Sequence, residues 1–136
     1  MNPLRILFVE DDADDIMMME EVLNERGGSF ETHAIEYGNK VLSYLTESTN
    51  LPHVIVLDLN LPQVSGKEIL RLIKSTPRLK NIPVVVLTTS SSPEDKEFSF
   101  REGAHSFFTK PASREGYNQT IASIVDIGLK HQVEIL

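Results

Sequence analysis

Residues 53–66 read HVIVLDLNLPQVSG. His53 to Leu57 is a strongly apolar run, rich in β-branched residues, that ends on an acid, Asp58. A continuous apolar run, unlike an alternating one, suits a strand covered on both faces, which is what a parallel sheet requires. Two further runs have the same character: Leu4 to Val9 (LRILFV) and Pro83 to Leu87 (PVVVL). Phe30 to Ile35 and Ser106 to Phe108 read as a weaker and a shorter strand.

Between these runs the apolar residues take helical spacing. Ile16, Met19, Val22 and Leu23 predict a helix over Asp14 to Glu25, stopped by Gly27–Gly28. Val41, Leu42 and Leu45 mark a short helix that ends before Pro52. Ile69, Leu70, Leu72 and Ile73 place a third over about Ser65 to Ser75. Pro93 opens a fourth that runs to Glu102, with Gly103 as its stop, and Arg114 to His131 is the fifth. Five strands alternating with five helices predict an α/β fold, a parallel five-stranded sheet with helices on both faces. In such folds function gathers at the carboxyl ends of the strands, where the strand order reverses.

The chain has 136 residues, 40% of them hydrophobic and 24% charged, the make-up of one folded domain. We expect a single domain over 1–136, with a core of about 4–130 and a short tail at 131–136. With no cysteine, thiolate metal sites and cysteine nucleophiles are excluded. The formal charge of −7 and the lack of a basic run argue against nucleic acid and anionic membrane as partners. The N-terminus lacks a signal-peptide pattern and no stretch reaches a membrane-spanning length, so a cytoplasmic location is expected.

Glu10, Asp11 and Asp12 follow the first strand, Asp58 the third, Thr88 ends the fourth, and Lys110 follows the fifth. Any one of these alone reads as a turn residue, a helix cap or a satisfied hydroxyl. Asp14 and Asp15 read that way, as first-turn acids that suit the helix dipole. On adjacent parallel strands the others converge on one crevice, where clustered carboxylates repel unless protonated or neutralised by a cation. Hard oxygen donors beside phosphate chemistry suit Mg²⁺.

Here the sequence resembles the CheY-like receiver domains of bacterial two-component response regulators. The match covers about Leu4 to Val125; its markers are ILFVEDD, VIVLDLNLPQVSG, IPVVVLTTS and GAHSFFTKP, with Thr88 and Lys110 standing 30 and 52 residues beyond Asp58. The resemblance implies the flavodoxin-like doubly wound (βα)5 fold with strand order 2-1-3-4-5. It implies that Asp58 is the phosphoacceptor and that Asp11 binds Mg²⁺ directly, with Glu10 beside it and Asn60 offering its backbone carbonyl. Thr88 and Lys110 would contact the phosphoryl group, Gly66 would turn the chain into the third helix, and Lys110–Pro111 would be a cis peptide. The partner implied is a sensor histidine kinase. The stretch STPRLKNIPVVVLTTSSSPED further resembles single-domain regulators paired with bacterial phytochromes.

Phosphoryl transfer asks mainly for positioning and charge stabilisation. The expected protein is therefore no enzyme toward other substrates, catalysing only its own phosphorylation and dephosphorylation. It contains neither GxGxxG nor GxxxxGK[ST] and is expected to receive phosphate rather than take it from ATP. Thr88 and Phe107 are the expected switch pair, with Phe107 lacking the hydroxyl of the commoner tyrosine. With no output domain in view, signalling by contact is expected. Phe98 and Ile127 are candidate interface residues on a face built from the fourth helix, fifth strand and fifth helix, which would serve a partner or a homodimer. A flavin binder is disfavoured because the acids after the first strand would repel a phosphate, and an aspartate-based phosphatase because Asn60 stands where a second acid is wanted.

Overall fold

The computed structural model describes residues 2–136. Strands β1 (Leu4–Val9), β2 (Phe30–Ile35), β3 (Val54–Leu57), β4 (Val84–Thr88) and β5 (Ser106–Thr109) form one sheet, all pairs parallel, in the order β2-β1-β3-β4-β5. Helices α1 (Ala13–Arg26), α2 (Val41–Glu47), α3 (Gly66–Ser75), α4 (Pro93–Arg101) and α5 (Arg114–Glu134) make the crossovers and the closing helix. One 3-10 turn at Gly38–Lys40 leads into α2.

The period-two geometry of strands divides the core into two layers. Leu7, Val9, Ile55, Leu57, Val84 and Val86 point to one face, where α2 and α3 supply Val41, Leu45, Ile69, Leu70 and Ile73. Leu4, Ile6, Phe8, Val54, Val56, Val85 and Leu87 point to the other, under Met19, Val22 and Leu23 of α1 and Tyr117, Ile121, Ile124 and Val125 of α5. The three central strands are thus buried on both faces, and their unbroken apolar runs follow from that. β2, an edge strand, alternates and is half exposed.

Serines and an aspartate fix the helix starts, each accepting a backbone N–H that the first turn leaves unpaired. Asp12 caps α1 (from Asp14 and Asp15), Ser65 caps α3, Ser92 caps α4 ahead of Pro93, and Ser113 caps α5. Gly27 and Gly28, at φ +75° and +115°, end α1 in a region that other residues avoid. α5 runs three residues past the expected His131, and Gln132 on the added turn donates to the carbonyls of Asn2 and Pro3. Among the described residues no helix is long and apolar enough to cross a membrane.

At the other pole from the strand ends, His53 is 3% exposed, and its Nδ1 accepts the amide of Arg5 at 2.9 Å. Burial, reinforced by the charges of Arg5 and His131, pushes its pKa down from 6.5 to about 4. The unfolded chain takes up this proton at the ordinary pKa and the folded chain does not until far lower pH. Stability is therefore expected to fall as pH drops through this window, by about 3 kcal/mol in all. Urea unfolding across that range checks it: His53→Asn, which keeps an acceptor for Arg5 but cannot titrate, should lose this part of the slope.

Candidate functional site

The strand order reverses between β1 and β3, so α1 leaves to one face of the sheet and α3 to the other. The loops part there and leave a crevice. Glu10 stands at the end of β1 and Asp58 at the end of β3, 3% and 4% exposed. The Asp58 amide donates to the Val9 carbonyl at 3.0 Å, which continues the β1–β3 ladder by one residue and fixes where this carboxylate starts. Asp11, one residue further on than Glu10, is exposed.

Lys110 reaches in from the end of β5. Its Nζ lies 2.6 Å from Asp15 Oδ2, 2.8 Å from Glu10 Oε1 and 3.1 Å from Asp58 Oδ2. Burial alone would pull this lysine down, but hydrogen bonds to Asp15, Glu10 and Asp58 outweigh it and hold its pKa above the ordinary value. Glu10 goes the other way for a carboxylate. Burial pushes it up to about 7; the Lys110 hydrogen bond opposes this and the Asp58 charge adds to it. One ammonium does not neutralise this many acids.

One oxygen each from Glu10, Asp11 and Asp58 falls within 4.8 Å of the others. All are hard carboxylate donors, two of them buried, and the buried Glu10 is resisting its charge. That donor set fits a small hard divalent cation such as Mg²⁺, which would keep waters for its remaining positions.

Thr88 is fully buried, and its Oγ1 accepts from Asn60 Nδ2 at 3.3 Å and, at the limit of a hydrogen bond, from the Ser90 amide at 3.5 Å. Asn60 also donates its backbone N–H to Asp58 Oδ1 at 3.0 Å, so one residue bridges the acid and the hydroxyl. Beyond Thr88, Ser90 Oγ donates to Asp95 Oδ2 at 2.6 Å, and Asp95 pairs with Lys67 at 2.5 Å. These contacts tie the β4–α4 loop to the first turns of α3 and α4. Phe107 is half-buried and packs on the α2–α3 layer of the core.

The structure thus brings Glu10, Asp11, Asp58, Asn60, Thr88 and Lys110 to one crevice. It also adds two residues that the sequence left aside. Asp15, expected as a helix-dipole acid, faces inward onto Lys110, and Tyr117, expected only as part of an apolar stripe, donates its hydroxyl to Asp15 Oδ1 at 3.2 Å. A phenol amid aliphatic neighbours on α5 was the available signal, since a buried tyrosine usually finds a polar partner.

One expectation needs correction. No cis peptide occurs among the described residues, so Lys110–Pro111 is trans. Trans is the lower form for X–Pro by about 0.5–1 kcal/mol, and the Lys110 amide extends the β4–β5 ladder through a 2.7 Å bond to the Thr88 carbonyl. Of the candidate interface residues, Phe98 is half-buried against the core, with the cations of Lys67, Arg71 and Arg101 within 5.3–5.6 Å of its ring centre. Phe100 is the exposed aromatic of α4, at 46%, and Ile127 on α5 is half-buried.

A doubly wound parallel sheet carrying acids, a threonine and a lysine at its carboxyl edge defines a CheY-like receiver. The chain belongs to the response regulator receiver domain family of two-component systems, whose pattern it matches over residues 6–122. It is 35% identical over 132 residues to a probable methanogenesis regulatory protein, FilR2, of Methanothrix harundinacea, covering 94% of this chain and 85% of that one. It is 38% identical over 113 residues to the response regulator Rcp1 of Synechocystis, covering 79% and 77%. Among solved structures it superposes on the phosphorylated cyanobacterial phytochrome response regulator RcpA with a TM-score of 0.87 (34% identity, 94% of this chain and 95% of that one). The Mn²⁺-bound form of Rcp1 matches with a TM-score of 0.82 (34% identity, 90% and 91%).

Gly66 is where the site's backbone is tightest. A Cβ there would lie 2.1 Å from the Asp58 carbonyl oxygen and 2.5 Å from Leu59 Cα. Gly66→Ala is therefore expected to push β3 and α3 apart and cost about 2–4 kcal/mol, read as a lower urea midpoint.

Proposed function

We propose that this chain is a phosphorylation switch in which Asp58 accepts a phosphoryl group from a phosphohistidine of a sensor kinase. The convergence of Asp58, the three-carboxylate cluster, Thr88 and Lys110 on one crevice carries the reading. An Asp58 carboxylate oxygen attacks phosphorus, the P–N bond to the donor imidazole breaks, and the imidazole nitrogen leaves with the bond pair and takes a proton. Mg²⁺ held by Glu10, Asp11 and Asp58, with the Asn60 carbonyl, would offset charge on the transferring group.

Lys110 supplies a positive centre already aimed at Asp58, so no reorganisation is needed when negative charge arrives. Thr88, whose hydroxyl proton is free to seek a new acceptor, turns toward the phosphoryl oxygens. In doing so it releases Ser90 and Asn60, and the Ser90–Asp95–Lys67 links pass the change to α3 and α4. Phe107 follows Thr88 within the core layer it already occupies. Water attack at phosphorus restores the carboxylate and resets the switch.

In this reading the domain works in the cytoplasm and signals by contact through the α4–β5–α5 face, with Phe100 and Ile127 at its apolar points. The likeness to RcpA, a phytochrome response regulator, favours a phytochrome-type kinase as the donor.

Two measurements test this. A small phosphodonor with Mg²⁺ should label the wild type and leave Asp58→Asn unlabelled; equal labelling of the two, or none of either, ends the reading. Sedimentation at matched concentration should show self-association of the wild type weakened in Phe100→Ala, and two identical monomers would remove the homodimer from the proposal.

A further inference from the structure

Lys110 has three N–H bonds and three carboxylate acceptors around it, and only one of the three lies outside the metal cluster. Glu10 and Asp58 each contribute an oxygen to the 4.8 Å group, whereas Asp15 does not belong to it. Asp15 also makes the shortest of the three contacts, at 2.6 Å. Its other oxygen accepts from the Tyr117 hydroxyl at 3.2 Å. The aim is set from both ends: Asp12 caps α1 by accepting the Asp14 and Asp15 amides, which fixes the first helical turn. Tyr117, 6% exposed, is clamped in the α1–α5 layer of the core.

Glu10 and Asp58, two of the lysine's three acceptors, would be shared with a divalent cation held by Glu10, Asp11 and Asp58, whose charge would repel the ammonium. At the moderate effective dielectric of such a crevice, like charges this close interact strongly enough to displace a flexible side chain. Asp15 is the acceptor that does not share itself with the cation.

We propose that Asp15, held in aim by Tyr117, is a dedicated positioning residue for Lys110, keeping the ammonium beside Asp58 once a metal ion occupies the other carboxylates. The proposal rests on the receiver reading above. Asp15 touches neither metal nor phosphoryl group in this arrangement; it acts through the lysine. A first-turn acid serving only the helix dipole would behave like its neighbour Asp14, which is exposed and makes no contact with Lys110.

The test compares wild type, Asp15→Asn, Tyr117→Phe, Asp14→Asn and Asp58→Asn by calorimetric titration, first with Mg²⁺ alone and then with fluoroberyllate as a phosphoryl mimic in saturating Mg²⁺. Asp15→Asn should bind both about tenfold more weakly, Tyr117→Phe about threefold, and Asp14→Asn within about twofold of wild type. Thermal midpoints, measured alongside, separate affinity from folding. Asp15→Asn that matches Asp14→Asn, binds either ligand more tightly, or shows a lower midpoint with unchanged affinities overturns the positioning role and leaves the receiver reading intact. Wild type that ignores fluoroberyllate, or Asp58→Asn that binds it equally well, overturns the receiver reading and this proposal with it.

Discussion

The site depends on one ammonium. Lys110 Nζ stands within 3.1 Å of carboxylates from the end of β1, the end of β3 and the first turn of α1. Taking such ions out of water costs several kcal/mol each, and that cost is offset only where geometry is good and every donor is used. Here every N–H of the lysine has its own acceptor, and among the described residues no buried side-chain nitrogen or oxygen lacks a hydrogen-bond partner. The same arithmetic of charge leaves the crevice short of positive charge, since Glu10, Asp11, Asp15 and Asp58 face a single lysine. That imbalance suits a hard cation.

The two-layer core explains how so polar a cluster is held in place. β1, β3 and β4 are locked from both sides by aliphatic side chains, so their carboxyl ends are fixed relative to one another. Polar links then run outward from the crest on each side of the sheet. On the α2–α3 side they go from Thr88 through Ser90 and Asp95 to Lys67. On the α1–α5 side they go from Lys110 through Asp15 to Tyr117.

The elements and their order were legible because each carries a local signal. The unbroken runs at Leu4–Val9, 53–57 and 83–87 gave the central strands, and Pro93, Gly27 and Gly103 marked helix ends. The strand-end residues were legible for a related reason: parallel strands bring such positions together whatever lies between them. Asp15 and Tyr117 escaped notice because their pairing spans 102 positions and depends on where α5 lies against α1. Phe98 and Phe100 are separated by two positions, and nothing local says which of them α3 covers with Lys67 and Arg71. The three residues by which α5 exceeds its expected end lie in the stretch read as a short tail, and what holds them is distant in sequence: Gln132 bonds the carbonyls of Asn2 and Pro3.

The Asp58 amide carries a further consequence. It donates to the Val9 carbonyl between two strands whose ends, Val9 and Leu57, have no solvent exposure at all. An amide so placed exchanges its hydrogen with deuterated water only when the sheet as a whole opens, and therefore reports the global stability of the fold. The Asp58 carboxylate is thus anchored at the end of a strand buried on both faces. No local breathing of the sheet exposes it, and any reactant bound for it must arrive over the crest, past the exposed Asp11 and Asn60.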